Sequence, residues 1–502
     1  MLPKNTKSLC PVCKKIVDAE IYEKNGKVII RKNCEEHGKF EDVYWSDVEL
    51  FEKADKYWPY EQKLKNPLYP AIDGCPFDCG LCDEHKTPTI LANIDITNRC
   101  NLKCPICFAN ANASGYVYEL SYKQVAAMLR LLMENEPKPY AVQFSGGEPT
   151  IHPHFLDMVR YASGLGFVQI QVATNGVKLA EEPDFAQKML DAGLHTVYLQ
   201  FDGVDEKVYE TARGRKLFEV KKKAIEACRN TKPKLSTVLV PTIVKGVNDD
   251  QIIKIINFAI ENIDVVRGIN FQPVSFTGRI DEKERAKQRF TIPDLIKRIE
   301  EDTDGKITRD AWYSVPCVLP IFDIANALDK KERAKFTIHP HCGAATYVFV
   351  RGDEIIPINK FVEVDGFLEE ARKIAESIEK SKFKKLKLIK AMKLSKYIDE
   401  KEMPEGMNLK DVIKEILGKR DKKSLSKFHW QSLYIGAMHF QDLYNYDIER
   451  VMRCGIHYVT PDGRIIPFCA YNSGPTYREE VEKRFSVPLT SLHVREKHAK
   501  SK

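Results

Sequence analysis

Between residues 89 and 280 the chain alternates two kinds of hydrophobic pattern. Short runs of strand length, ILANIDIT, YAVQFSG, FVQIQVAT, TVYLQFDG, STVLVPTIV and GINFQPVS, predict six β-strands. Between them YKQVAAMLRLLMEN, HFLDMVRYASGLG, DFAQKMLDAGL, FEVKKKAIEAC and QIIKIINFAIENI carry apolar residues at helical spacing and predict five helices. Apolar strands separated by helices imply a parallel sheet, and six such units fit an α/β fold, a partial (β/α)6 TIM-like barrel. Ligands in such folds sit at the carboxyl ends of strands, where the loops with Cys100, Gly146, Asn175 and Asp202 begin.

The flanks read differently. Upstream, AEIYEKNGKVIIRK has Asn25-Gly26 where a two-residue turn belongs and predicts a hairpin. Downstream, the eight lysines of 380–396 occur with no acidic residue, and on a helix the apolar positions do not separate cleanly from them. A solvated face is one reading of that run, and contact with an anionic membrane surface is the other.

At 502 residues with 43% hydrophobic content, the chain is long enough for about three folded domains at roughly 150 residues each. No run approaches the roughly 18 apolar residues of a membrane span, and MLPKNTKSLCPVCKK lacks the apolar centre of a secretory signal. The expected location is cytoplasmic, with a peripheral place at the membrane left open. The net charge of +7 makes no case for a nucleic-acid partner. In a reducing compartment cysteine sets bind metal more readily than they form disulfides, and of the 14 cysteines all but Cys228 fall into such sets.

Cys10, Cys13, Cys34 and His37 can give one tetrahedral site for a mononuclear Fe or Zn. Cys75, Cys79 and Cys82 repeat the C-x3-C-x2-C spacing of Cys100, Cys104 and Cys107. Only the latter loop is fed by a hydrophobic strand, so the former reads as an auxiliary cluster loop with His85 as a candidate fourth ligand. Cys317, Cys342, Cys454 and Cys469 are widely spread and group as one fully ligated 4Fe-4S cluster. Cys228 reads as a buried core thiol, and His152 and His154 as turn or capping residues. His341 and His457 lie beside cysteines but carry no stronger signal.

Three thiolates close together in one loop hold three irons of a 4Fe-4S cluster and leave the fourth open. With Ser145-Gly146-Gly147-Glu148-Pro149 about forty residues on, the stretch 90–280 resembles the radical S-adenosylmethionine (SAM) superfamily. The resemblance implies that Cys100, Cys104 and Cys107 hold the catalytic cluster, that SAM chelates the open iron, and that one-electron reduction cleaves SAM to methionine and a 5′-deoxyadenosyl radical. It places Gly146, Gly147, Glu148 and Pro149 at the methionine amino group, and Thr174 and Asn175 at ribose and carboxylate. Gln200, Asp202 and Arg213 fall in the matching region after the fourth strand, with Arg213 a partner for the SAM carboxylate. Ile106 departs from the family pattern, which usually has an aromatic residue there.

The expected organisation is a mononuclear-metal module (1–70), an auxiliary cluster loop (71–88), the radical SAM core (89–300), and a C-terminal auxiliary iron-sulfur domain in two halves (301–365 and 426–502). The lysine-rich helical insertion 366–425 separates those halves. The cofactors are then SAM, three 4Fe-4S clusters and one mononuclear metal. Over nearly its full length the chain resembles archaeal tetraether lipid synthases. That resemblance implies sp3–sp3 coupling of isoprenoid methyl carbons on an archaeal diether phospholipid, driven by a one-electron donor such as ferredoxin or flavodoxin. The alternative is a radical SAM enzyme that modifies a peptide or methylates a pterin, and a non-enzymatic electron carrier or zinc-ribbon regulator is a third reading.

Overall fold

The computed structural model describes residues 2–278, 282–329, 332–352, 354–379, 392–403 and 432–488. All six predicted core strands form: Leu91–Thr97, Ala141–Gly146, Gln169–Thr174, Thr196–Gln200, Ser236–Val240 and Val266–Pro273. They lie side by side in that order, every pair parallel. Their alternating helices are Tyr122–Glu134, Phe155–Leu165, Asp184–Asp191, Phe218–Arg229 and Ile252–Glu261, with Glu206–Arg213 added before the fourth. Ser121 and Gln124 start the first of these with a reciprocal capping box, which satisfies two otherwise orphaned donors.

The sheet does not stop at six strands. Ser432–Met438 adds in parallel beside Val266–Pro273, and Ile456–Val459 adds in parallel beside Leu91–Thr97. Two consecutive strands from the C-terminal part thus occupy opposite edges of the core, and the chain between them passes from one edge to the other. Gly343–Arg351 then pairs antiparallel with Ser432–Met438. Each added strand covers an edge that would otherwise expose unpaired backbone.

The N-terminal sheet runs Lys4–Leu9, Ile16–Lys24, Lys27–Cys34 and Gly38–Trp45, all antiparallel. The predicted turn is in place: Lys24 pairs with Lys27, and Asn25 (φ 55°) and Gly26 (φ 74°) take the two left-handed positions. This sheet is fastened to the C-terminal part by buried polar contacts. Thr6 and Tyr44 hydroxyls donate to Asp447 at 2.7 and 2.8 Å. The Arg289 guanidinium bridges Asp42 (2.8 Å) and Asp442 (2.6 Å).

A second apolar core gathers around the helix Val364–Glu379, with Phe349, Phe361, Phe367 and Ile378 buried. The lysine-rich run 380–396 lies mostly outside the described residues, as does most of the rest of the 366–425 insertion. Among the described residues no helix is long and apolar enough to cross a membrane.

Candidate functional site

The carboxyl ends of the core strands open onto a cavity of about 330 Å³, within the size range of small-molecule sites. Cys100, Cys104 and Cys107 line it together with Gly146, Gly147, Thr174, Asn175, Gln200 and Arg213. Ligand residues as far apart in sequence as Cys100 and Arg213 therefore meet at one mouth. Burial pushes the Cys100 thiol up to about 12 and raises that of Cys104. Thiols so desolvated become thiolates when a metal compensates the charge, so the donor set fits an iron-sulfur cluster.

The glycine pair is explained by backbone approach. A Cβ on Gly146 (φ 127°) meets the Thr97 carbonyl at 2.2 Å, and one on Gly147 meets the Arg99 carbonyl at 2.2 Å. Backbone hydrogen bonds from Gly147 N to Thr97 O (2.7 Å) and from Glu148 N to Arg99 O (2.8 Å) need that closeness. The glycines thus press the second strand's loop against the run leading into Cys100.

Glu148 is buried with its carboxylate turned to protein. It accepts from Thr150 N (3.1 Å), from the Thr150 and Thr174 hydroxyls (2.5 and 2.7 Å) and from Asn175 N (2.8 Å). Asn175 Nδ2 in turn donates to Asn101 Oδ1 at 2.6 Å, beside Cys100. Pro149 starts a buried 3-10 turn and does not line the cavity. Asp202 is also away from the cavity wall and holds Arg213 in a two-point pair. Ile106 packs with Val244, Val274 and Phe276.

Several site residues gave no signal in the sequence. Lys221, one of three consecutive lysines, is the buried one, and its Nζ donates to Asn175 O (2.6 Å) and Gln200 Oε1 (2.8 Å). Burial lowers it to about 7. Asp95 accepts from Ser145 Oγ (2.6 Å) and from Arg478 Nη1 (2.8 Å), which reaches in from the C-terminal helix Tyr477–Arg484.

The walls of the cavity are of two kinds. Leu91, Ile106, Met438, Phe108, Phe440 and Phe468 are apolar, with Phe440 and Phe468 stacked at 3.9 Å and Phe108 on Phe468 at 5.3 Å. Carboxamides supply the other kind. Asn93 and Gln143 line the cavity and, in register with Gln171, form a ladder in which Gln171 donates to Gln143 and Gln143 to Asn93, each at 2.9 Å. Asn270 and Gln272 face the same space. Barrel interiors are usually filled by branched apolar residues.

The other cysteine sets separate by spacing. Cys10, Cys13, Cys34 and His37 present ligand atoms all within 4.8 Å of one another, with Cys13 and Cys34 sulfurs 3.8 Å apart. Two sulfurs at about 2.3 Å from one tetrahedral ion lie about 3.8 Å apart, so this quartet fits a single metal. Among the described residues no other such group is that tight, and the remaining sets are too open for one ion. Cys75, Cys79, Cys82 and His85 surround a small space closed by Met452 and Pro467. His85 lines that space, and its Nε2 contacts Cys454 O at 2.9 Å and His457 Nε2 at 3.1 Å.

The expected grouping of Cys317 with Cys342, Cys454 and Cys469 is not what the structure brings together. Cys454 lies within electrostatic reach of Cys469 and Cys342, and the Arg450 guanidinium reaches Cys342 Sγ at 3.4 Å. Cys317 packs instead against the second apolar core, near Asp365. Cys228 is the buried core thiol expected, His152 bonds Leu120 O at 2.9 Å, and His341 stacks on Phe51 at 3.9 Å.

A family model described as the radical SAM superfamily matches residues 94–259, and one described as the HMPTM N-terminal zinc ribbon domain matches residues 2–46. The chain is 50% identical over 493 residues to a 7,8-dihydro-6-hydroxymethylpterin dimethyltransferase of Methanocaldococcus jannaschii, which spans 97% of this chain and 96% of that protein. It is 29% identical over 242 residues to a GTP 3′,8-cyclase of Chlorobaculum tepidum, 47% of this chain and 70% of the relative. Among solved structures, Streptococcus suis SuiB bound to its precursor peptide SuiA aligns over 44% of this chain and 46% of that one, at TM-score 0.35 and 20% identity. The near-full-length relative overturns the expectation of a tetraether lipid synthase acting on a diether phospholipid, since it carries the name of a pterin dimethyltransferase. Of the sequence readings, the pterin-methylating alternative is the one this similarity favours.

Proposed function

Because the chain belongs to the radical SAM superfamily and, within it, to the family of the Methanocaldococcus jannaschii pterin dimethyltransferase, we propose that it methylates a reduced pterin, 7,8-dihydro-6-hydroxymethylpterin. The near-full-length identity to that relative carries the reading. The cavity is compatible with it. A pterin is a flat bicycle with hydrogen-bond donors and acceptors around its rim. Stacked Phe440 and Phe468 offer a face, while Asn93, Gln143, Asn270 and Gln272 offer edge contacts.

Cluster and SAM, when bound, supply one-electron chemistry at carbon. The chain's own part is to hold and orient. Cys100, Cys104 and Cys107 would hold the cluster, and the loops after the second and third core strands would hold SAM. Glu148 fixes those two loops to one another, and Asn175 ties them to the cysteine loop. Met438, Phe440, Ile456, Tyr458 and Phe468 of the C-terminal part add their side chains to the wall of the cavity. On the same reading Cys75, Cys79 and Cys82 hold a second cluster, Cys342, Cys454 and Cys469 a third, and a ferredoxin- or flavodoxin-class donor supplies the electron.

Fluorescence titration of the anaerobic holoenzyme with the pterin tests the reading. Saturable binding is expected, weakened about tenfold in Gln143→Leu, the effect of roughly 1.4 kcal/mol for one hydrogen bond lost. Absence of saturable binding to the wild type overturns it.

A further inference from the structure

Arg213 is expected from the sequence to meet the SAM carboxylate with its planar fork. In the structure that fork is already occupied. Nε donates to Asp202 Oδ2 at 2.6 Å and Nη2 to Asp202 Oδ1 at 2.9 Å, while Nη1 donates to Ile106 O at 2.8 Å. Ile106 sits in the cysteine loop between Cys104 and Cys107, and its own N–H donates to Ala212 O at 3.2 Å. The last turn of the helix Glu206–Arg213 therefore grips the loop at one residue from two sides. Arg213 and Asp202 side chains are 10% and 0% exposed, so the pair acts where water screens little. Arg213 lines the cavity together with Cys100, Cys104 and Cys107. Glu148 and Lys221, both buried, lie nearby.

We propose that Arg213 is a positioning residue that pins the Cys100–Cys107 loop and whose charge, opposed by Asp202, sets the reduction potential of the cluster held there. Reduction adds one electron from a low-potential one-electron carrier to the cluster and no bond is broken. A buried cation beside the thiolates stabilises the added negative charge, and the bidentate pair fixes where that cation points. The inference does not depend on which substrate enters the cavity.

Opposite charge changes at one pair make the test directional. The full-length holoenzyme is titrated anaerobically with dithionite and followed by electron paramagnetic resonance, the relevant cluster being the one whose signal changes when SAM is added. At a fixed potential near the midpoint, Arg213→Gln should lower the reduced-to-oxidised ratio about tenfold, equivalent to 59 mV for one electron. Asp202→Asn should raise it, and Arg213→Lys, which keeps the charge, should stay close to wild type. Ratios unchanged in both charge variants, or shifted in the same direction, overturn the proposal. So does an unchanged potential in Arg213→Gln accompanied by lost SAM binding in calorimetry, which would return Arg213 to the SAM carboxylate. Should Arg213→Gln fail to retain iron, the sign of the Asp202→Asn shift alone decides.

Discussion

Replacing Glu148 with Gln changes one atom of the site and removes one hydrogen bond. The carboxylate accepts three bonds at Oε1, from Thr150 N and the Thr150 and Thr174 hydroxyls, and one at Oε2, from Asn175 N. An amide can keep its oxygen at the first position and its three donors. Its NH2 then faces the Asn175 N–H, and two donors meet in a buried place. A hydrogen bond to a charged group contributes about 1.5–3 kcal/mol, and the orphaned backbone N–H adds to the loss, so unfolding free energy should fall by about 2–4 kcal/mol. Asn175 is the residue that loses its anchor, so SAM affinity should fall along with stability. Urea denaturation gives the first quantity and calorimetric SAM titration of the holoenzyme the second. A variant within about 0.5 kcal/mol of wild type that binds SAM normally would refute the reasoning, because it would mean that Glu148 does not hold the two loops together.

Arg289→Met leaves Asp442 buried without its cation, while Asp42 keeps Arg285 at 3.0 Å, and a loss of about 3–5 kcal/mol is expected in guanidinium denaturation; a loss below about 1 kcal/mol contradicts it. Lys32 is buried and its amine is lowered to about 7 from 10.5. Between those values the unfolded chain binds a proton that the native one does not, so this group makes stability rise with pH across that window by up to about 1.4 kcal/mol per unit. Lys32→Met should therefore flatten the stability profile between pH 7 and 9, and an unchanged slope would count against it. Stripping metal from Cys10, Cys13, Cys34 and His37 should expose the amides of the knuckles at 10–15 and 34–38 to hydrogen exchange while the parallel core stays protected. Uniform loss of protection would contradict a local role for that site.

The core was legible in the sequence because a parallel strand buried on both faces and its covering helix each leave a local periodic record, as Leu91–Thr97 and Tyr122–Glu134 do. Asn25-Gly26 was legible because only a few residue types take two left-handed positions in a row. The tight Cys10, Cys13, Cys34 and His37 quartet was legible from spacing. What had no record is non-local. Nothing in Ser432–Met438 or Ile456–Val459 states that they flank opposite edges of a sheet begun hundreds of residues earlier. Lys221 looks like its neighbours Lys222 and Lys223 until the fold buries it. Cys317 matches its proposed partners in type and spread, and only packing sends it to another core. Gln143 and Asn93 read as the polar beat of a strand, and their meeting in a ladder depends on register. The misjudged substrate has the same origin, since cysteine sets report cofactors and say little of what the cavity admits.

Product analysis tests the central claim most directly. Reconstituted enzyme, reductant and SAM carrying a labelled methyl group are incubated anaerobically with 7,8-dihydro-6-hydroxymethylpterin, and the pterin is examined by mass spectrometry. Methylated pterin is expected, its formation requiring both SAM and reductant and ceasing in the Cys100, Cys104 and Cys107 triple alanine variant. SAM consumed while the pterin is returned unchanged, or a substrate of another class consumed in its place, would contradict it.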